Sequence, residues 1–256
     1  MNYLIMTDLE GVAGVDRFRQ TRTHDMADKG EAMKQLARET NACIEGIREA
    51  DGSAKVTVID GHGTGGLLPD DLAYGDYVRY RDFRHETLPS YAGLFFVGQH
   101  AMAGTIDAPL CHTYSSLRVQ YYRLNGVFIG EFAAFAQWAG MHGVPAVFLA
   151  GDDKAALEAQ LFVPAIETAV TKRGKGIEAA DHLSSADACA AIRLAAAKAA
   201  RRIGDIPPFV RFQPPYRFEA RHYEPLASSG VPANGRPIDE RTYVIETSEY
   251  RELPFF

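Results

Sequence analysis

Four separate segments of this sequence place a carboxylate or an imidazole directly after a short apolar or glycine-containing run. The residues concerned are Asp8, Glu10, His62, His100 and Glu131. Carboxylates and imidazoles without a thiolate suit zinc, manganese or a similar catalytic metal, and such a mixture is unlike a closed structural site. The set therefore predicts a catalytic metal centre.

The spacing of the first two residues favours a shared site. Side chains two positions apart on an extended strand face the same side, so Asp8 and Glu10 would project together if the strand stays extended. Two adjacent dications repel each other and need a bridging carboxylate, and Asp8 is the natural bridge. Two metals about 3.5–4 Å apart polarise a carbonyl group and make a bound water more acidic. These properties predict a metal-dependent hydrolase.

Strands and helices alternate along the part of the chain that carries these residues. Apolar and β-branched runs predict buried strands at 3–7, 56–59, 94–97 and 146–149. Periodicity and end signals predict helices at 29–50, 131–141, 153–161 and 184–203. A hairpin is predicted around 124–126. We therefore expect an α/β fold with a largely parallel central sheet flanked by helices, and a site beyond the carboxyl ends of its strands.

The sequence pattern changes after residue 162. Residues 1–162 are predicted to form the metal-binding α/β core. Residues 163–256 are predicted to form a smaller C-terminal α+β lobe that completes the pocket and makes subunit contacts. Two proline pairs, at 207–208 and 214–215, flank a strand-like stretch, and a late strand is predicted at 243–245.

The composition excludes several classes of protein. A formal charge of -6 over 256 residues argues against a general nucleic-acid binder. The sequence shows neither a secretory signal nor an apolar stretch of bilayer length, so we expect a cytoplasmic protein without a membrane partner. Cys43, Cys111 and Cys189 lie far apart, which argues against a disulfide framework and a cysteine zinc site.

Each candidate residue also has an ordinary structural explanation. A single histidine or aspartate after a strand is more often a loop, turn or helix-cap residue. Only the repetition of the same placement on four segments favours a metal site. His112 is either an acid–base residue or nucleophile beside the metals, without being a ligand, or a surface-loop histidine. Asp152 and Asp153 precede a predicted helix, so we predict structural roles for both.

Several segments, taken in order, resemble the D-aminopeptidase family of zinc peptidases. They are 7–14 (TDLEGVAG), 60–62 (DGH), 98–101 (GQHA), 112–115 (HTYS), 125–126 (NG) with 130–131 (GE), and 150–153 (AGDD). The resemblance covers about residues 1–160, and this many segments in order are far more specific than any one motif.

The resemblance implies a dinuclear zinc site. Asp8 would bridge, Glu10 and His62 would complete one zinc, and His100 and Glu131 would complete the other. The resemblance also implies that His112 is catalytic.

The same resemblance implies a substrate and an assembly. The substrate would be a short peptide with an N-terminal D-residue, such as D-Ala-D-Ala. The assembly would be a homo-oligomer, a decameric ring with active sites facing an internal channel. The sequence departs from the family at residues 249–256, where the family leads us to expect a further amphipathic helix.

Two other functions could use the same ligands. One is a metal-dependent amidase or phosphoester hydrolase. The other is a protein that binds a metal or a small ligand without catalysis, although His112 beside a complete ligand set speaks against it. Activity on D-alanyl and phosphoester substrates would separate these alternatives.

Overall fold

The computed structural model describes residues 1–255. Its strands are β1 (Asn2–Thr7), β2 (Lys55–Asp60), β3 (Asp76–Arg79), β4 (Gly93–Gln99), β5 (Val119–Leu124), β6 (Val127–Ile129), β7 (Ala146–Asp152), β8 (Glu167–Gly176), β9 (Ala179–His182), β10 (Tyr216–His222), β11 (Arg236–Pro237) and β12 (Thr242–Thr247). Its α-helices are α1 (Met26–Ala50), α2 (Glu131–Met141), α3 (Asp153–Phe162), α4 (Ser185–Arg201) and α5 (Leu226–Ser229).

The larger sheet has seven strands in the order β3-β2-β1-β4-β7-β8-β9. Neighbouring strands from β3 to β8 are parallel, and β9 turns back to pair antiparallel with β8. In the register of the sheet, Thr7 of β1 aligns with Asp60 of β2 and with Val97 of β4. The carboxyl ends of these three strands therefore lie side by side, as the predicted fold class requires.

Helices cover the sheet and begin where the sequence provides caps. Asp25 caps α1 by accepting a hydrogen bond from the amide of Ala27, so the helix begins slightly earlier than predicted. Helix α1 packs against the alanine-rich α4, and a Cβ at Gly46 would overlap the carbonyl oxygen of Arg193. The small residues of both helices thus allow a close contact. The sheet beneath is apolar, with Leu4 and Ile5 of β1 fully buried.

The smaller sheet is antiparallel, with the order β11-β12-β10-β5-β6. It does not follow the predicted boundary after residue 162. The hairpin β5–β6 comes from the first part of the chain but pairs with β10 from the second. Strands β8 and β9 come from the second part but extend the larger sheet, because α3 carries the chain from β7 to a parallel neighbour. The boundary therefore falls inside the larger sheet.

Most predicted elements are confirmed, and the differences have local causes. The helices at 131–141 and 184–203 are present as α2 and α4, and the hairpin at 124–126 is present as β5–β6. The stretch between the two proline pairs is irregular, since proline lacks the amide donor of a strand, and β10 begins only after it. Strands β3, β8, β9, β10 and β11 were not predicted.

The C-terminal segment differs from the helix that the family led us to expect. Tyr250–Glu252 forms a single 3-10 turn, and residues 253–255 continue as irregular turns. Phe256 lies outside the described residues. Among residues 1–255, none of the helices combines the length and apolar character needed to cross a bilayer.

Candidate metal centre

Asp8 lies directly after β1, and its two carboxylate oxygens face two different imidazoles. Oδ1 lies 3.1 Å from Nδ1 of His62, and Oδ2 lies 3.0 Å from Nε2 of His100. His62 follows β2 and His100 follows β4, the two neighbours of β1 in the sheet. One carboxylate thus stands between two potential ligand groups, which is the position that a bridging ligand needs.

Two further carboxylates complete the two groups. Oε2 of Glu10 lies 3.2 Å from Nδ1 of His62, and Oε1 of Glu131 lies 3.5 Å from Nε2 of His100. Glu131 is the first residue of α2, where a carboxylate also suits the helix dipole. The structure therefore brings all five predicted ligands together, although their role as ligands stays a prediction.

Each histidine of the site turns one ring nitrogen towards a backbone carbonyl. Nε2 of His62 lies 3.0 Å from the oxygen of Thr21, and Nδ1 of His100 lies 2.9 Å from the oxygen of Ala101. A carbonyl oxygen only accepts hydrogen bonds, so these nitrogens carry a proton. The opposite nitrogens face the carboxylates, and this arrangement would let them donate lone pairs to a metal ion placed among the carboxylates, as metal-binding histidines do.

His112 lies on the loop between β4 and β5 and faces the same carboxylates. Its Nε2 is 3.8 Å from Oε1 of Glu131, and its ring stacks on His100 with centroids 3.9 Å apart. Candidate ligand atoms of His100, His112 and Glu131 lie within 4.8 Å of one another, as do those of Asp8, Glu10 and His100. Distance alone therefore permits His112 to be either a ligand or a proton carrier.

The electrostatics of the cluster favour a cation. Burial opposes ionisation of Glu10 and Glu131, yet the neighbouring imidazoles hold the pKa of both carboxyls below the usual range. Burial likewise opposes a charge on His62 and His100, yet the carboxylates raise the pKa of each imidazole well above its usual range. The same negative field that favours protons on these rings favours a metal ion among them.

Two buried atoms of the cluster support this fit. Oε2 of Glu10 and Nε2 of His100 lie close to groups of opposite charge, but neither has a partner with hydrogen-bond geometry. Buried polar atoms are rarely left without such a partner. Both belong to residue types that bind zinc, and both point into the cluster, so the donor set fits a metal ion.

Two glycines let the segment after β1 cross the end of β4. Gly98 has a left-handed φ of 77°, and a Cβ there would overlap the carbonyl oxygen of Asp8. A Cβ at Gly11 would overlap the carbonyl oxygen of Gln99. The amide of Gly11 donates to the oxygen of Gly98 across this contact, at 2.7 Å. The close approach brings Asp8, Glu10 and His100 to one point.

Three buried polar side chains form hydrogen bonds with the backbone of residues 8–15, and none of the three was predicted from the sequence. Lys172 of β8 is 1% exposed, and its ammonium donates to the carbonyl oxygens of Glu10 and Val15. Thr171 donates to the oxygen of Gly11 at 2.7 Å, and Glu39 of α1 accepts from the amide of Ala13 at 2.9 Å. Burial lowers the pKa of Lys172 to about 8 and raises the pKa of Glu39 to about 7.

The neighbouring aspartates have structural roles. Asp152 caps α3 by accepting from the amides of Lys154 and Ala155, and it also accepts from the amide of Ala101 beside His100. Asp153 accepts from the amide of Gly174. Asp60 accepts from the amide of Gly66 and so shapes the loop that carries His62. The structural prediction for Asp152 is confirmed.

A cavity of about 430 Å³ opens beside the cluster. Its lining combines polar residues, including His62, His112 and Glu131, with aromatic residues, including Tyr80 and Phe255. The volume lies in the range of small-molecule sites, which extends from about 300 to 1,000 Å³. The site therefore has room for a short peptide.

The fold and the site together define a class of protein. A parallel α/β sheet with converging carboxylates and imidazoles at its carboxyl edge, next to a cavity, is typical of metal-dependent hydrolases. Comparisons with known proteins narrow this class.

The sequence profile of peptidase family M55, described as D-aminopeptidase, matches residues 1–253. The D-aminopeptidase of Bacillus subtilis (strain 168) is 30% identical over 198 residues, which cover 73% of this chain and 69% of the relative. This chain belongs to the D-aminopeptidase family. The predicted family and the prediction of a hydrolase of the peptidase class are confirmed.

A solved structure shares the fold. It is described as the Zn-dependent D-aminopeptidase DppA from Bacillus subtilis, a self-compartmentalizing protease. The two structures superpose with a TM-score of 0.86 at 21% identity, over 98% of this chain and 93% of the other. The predicted fold class, a largely parallel α/β sheet flanked by helices, is confirmed.

Proposed function

We propose that this protein is a dizinc aminopeptidase that hydrolyses short peptides with an N-terminal D-residue, D-alanyl peptides included. The observation that carries the proposal is the position of Asp8, whose two oxygens face His62 on one side and His100 on the other. Family membership and the zinc dependence stated for DppA support the choice of metal and reaction. Asp8 would bridge, with Glu10 and His62 on one zinc and His100 and Glu131 on the other.

The residues of the site divide the work of the reaction. When bound, zinc would supply Lewis-acid polarisation of the scissile carbonyl and would make a coordinated water acidic. The carbonyls of Thr21 and Ala101 fix the ring orientation of His62 and His100. Nδ1 of His112 faces the carbonyl oxygen of Leu110 at 2.9 Å and carries its proton there, which leaves Nε2, 3.8 Å from Oε1 of Glu131, to carry a proton to the leaving amine.

Hydrolysis assays of the zinc-loaded protein test this function. We expect release of the N-terminal residue from D-Ala-D-Ala, a lower rate on L-Ala-L-Ala, and no comparable rate on para-nitrophenyl phosphate. A preference for the phosphate ester would favour the phosphoester hydrolase instead. Full zinc content with no turnover of peptides, amides or esters would favour a binding protein without catalysis.

We further propose that residues 163–256 complete the pocket and that the protein is a cytoplasmic homo-oligomer, with a decameric ring as the assembly. Pro254 and Phe255 line the cavity, which supports the first part. Large exposed apolar side chains such as Ile106 and Leu194, 82% and 75% exposed, and the self-compartmentalizing character stated for DppA support the second. Light scattering that shows a 28 kDa particle would contradict the oligomer.

A further inference from the structure

Four aromatic rings form a connected part of the cavity lining. We define the aromatic wall as Tyr80, Tyr114, Phe135 and Phe255, all of which line the cavity. The rings of Tyr114 and Phe255 stack with centroids 5.8 Å apart and an angle of 17° between their planes. The rings of Tyr80 and Phe135 lie 6.3 Å apart. The hydroxyl of Tyr80 donates to the carbonyl oxygen of Phe255 at 2.8 Å, which ties the two pairs together.

The aromatic wall begins at a predicted metal ligand. The amide of Tyr114 donates to Oε1 of Glu131 at 2.6 Å. Tyr114 has a φ of 58°, in the left-handed region that a tyrosine seldom adopts, and this conformation accompanies the contact of its amide with the carboxylate. The backbone of Tyr114 therefore contacts the carboxylate of Glu131, and both residues line the same cavity.

Phe255 is fixed by aromatic residues of the smaller sheet and of the 3-10 turn that follows it. Its ring contacts Phe218 of β10 edge to face, with centroids 5.4 Å apart, and Tyr250 at 5.5 Å. Phe255 is only 3% exposed, so its position is set by packing rather than by solvent. The wall is thus a preformed apolar surface, which binds an apolar group without first paying for its own ordering.

We propose that the aromatic wall selects peptides whose first residue carries a bulky apolar side chain, in preference to alanine. This inference rests on the proposed aminopeptidase function. Such an enzyme holds the free amine and the scissile carbonyl of the first residue at the metal centre, so the first side chain leaves that centre beside Tyr114 and Phe255. A phenylalanyl or leucyl side chain buries apolar area against these rings, whereas the methyl group of alanine leaves most of the cavity to water.

Kinetics on matched dipeptides test the selection. We expect kcat/KM of the zinc-loaded protein to be higher for D-Phe-Gly and D-Leu-Gly than for D-Ala-Gly by roughly 10-fold or more, the scale on which apolar pockets discriminate. The same series with L-residues shows whether size and chirality act separately. A kcat/KM for D-Ala-Gly equal to or above that for D-Phe-Gly would overturn the proposal.

Substitutions in the aromatic cluster assign the effect to the wall. Phe255→Leu should reduce the ratio of D-Phe-Gly to D-Ala-Gly to within about 3-fold. Phe128→Leu is the matched control, because Phe128 lies on β6, is 50% exposed and is not among the residues that line the cavity. Tyr80→Phe is a milder variant that removes only the hydrogen bond to Phe255, and it should lower the ratio less. Equal ratios in Phe255→Leu and wild type, or equal losses in Phe255→Leu and Phe128→Leu, would overturn the role of Phe255.

Binding of hydroxamates separates this proposal from the proposed function. By calorimetry, the zinc-loaded protein should bind D-phenylalanine hydroxamate roughly 10-fold more tightly than D-alanine hydroxamate. If this difference appears without hydrolysis of any peptide, the aminopeptidase function fails and the wall stands. If peptides are hydrolysed but the two hydroxamates bind equally, the wall fails and the function stands. Absence of binding by both would overturn the wall.

Discussion

The ligand edge, where Asp8, His62 and His100 follow β1, β2 and β4, and the aromatic wall lie at the same cavity, yet the two are built in different ways. The ligands leave neighbouring strands of one parallel sheet, so the hydrogen-bond ladder of the sheet fixes their separation. The wall joins residues from the β3–β4 region, the β4–β5 loop, α2 and the segment after β12. Its geometry therefore depends on side-chain packing between distant parts of the chain.

Under the proposed function, the ligand edge therefore carries the chemistry of the reaction, and the aromatic wall determines which peptide is preferred. The ligand edge is anchored from behind by buried polar side chains, including Lys172 and Glu39, whereas the wall is held by aromatic contacts and a hydrogen bond to a backbone carbonyl. A change in the wall should alter which peptide is preferred and leave the metal content intact. A change at the ligand edge should alter metal content, turnover or the stability of the fold.

The largest effect on turnover is expected from His112→Ala. Loss of an acid–base residue typically lowers kcat about 10²–10⁴-fold, or roughly 3–5 kcal/mol of barrier. Zinc content and fold should stay at the wild-type level, as measured by elemental analysis and circular dichroism. His142→Ala serves as the control, because His142 contacts the carbonyl of Trp138 at the far end of α2.

Two results would contradict the proposed role of His112. Full zinc content with a kcat near that of wild type would make it a loop histidine. Loss of one zinc per chain would make it a ligand, as its distance to Glu131 permits.

The ligand edge could be predicted from the sequence because each ligand is marked by the residues next to it. Each ligand follows a short apolar run, and the strand ends of a parallel sheet meet at one edge, so Asp8, His62 and His100 could be placed without knowing the tertiary packing. The pattern alone left His112 as either an acid–base residue or a loop histidine, since no spacing rule connects it to Glu131, and the family resemblance favoured the catalytic role.

The remaining features depend on distant contacts. Strand β8 has the sequence ETAVTKRGKG, and it was not predicted because its charged residues are not typical of a buried strand. The structure nevertheless buries Lys172, which donates hydrogen bonds to carbonyl oxygens. Strands β5 and β6 of the first part of the chain join the smaller sheet, and β8 and β9 of the second part join the larger one. No local sequence pattern encodes these strand pairings. The aromatic wall could not be predicted either, because Tyr114 and Phe255 lie 141 positions apart in the sequence.

The next largest effect, a loss of stability, is expected when Lys172, which binds the backbone of the ligand edge, is replaced. Lys172→Met removes the donor to the carbonyl oxygens of Glu10 and Val15 and leaves both buried without it. An unsatisfied buried polar group costs about 1–3 kcal/mol, so the free energy of unfolding should fall by roughly 2–5 kcal/mol in urea titrations. Lys175→Met on the same strand is the control, since the Lys175 side chain is 60% exposed. Equal stability of the two variants would show that Lys172 does not anchor the segment.

A smaller, pH-dependent effect is expected from Glu39→Gln. Burial raises the pKa of Glu39 to about 7 from 4.5, so the folded state binds a proton more tightly than the unfolded state. The contribution of Glu39 to stability is therefore complete below pH about 4.5 and is lost as the pH rises to about 7. The loss amounts to about 3 kcal/mol at 1.36 kcal/mol per pKa unit.

Urea titrations at pH 5 and pH 8 measure this effect. Glu39→Gln should lose less stability than wild type between the two values, whereas Glu45→Gln, an exposed substitution on the same helix, should behave as wild type. A wild-type pH dependence in Glu39→Gln would show that Glu39 is already ionised at pH 5.

Zinc content of Asp8→Ala tests the central claim most directly, because a bridging ligand serves both metals. We predict two zinc ions per chain in the wild type, loss of most of both in Asp8→Ala, and loss of chiefly one in His100→Ala. Asp70→Ala, an exposed substitution in the 3-10 turn Pro69–Asp71, should keep both. Circular dichroism confirms that each variant is folded. Elemental analysis that finds as much zinc in folded Asp8→Ala as in the wild type would contradict the bridged two-zinc site.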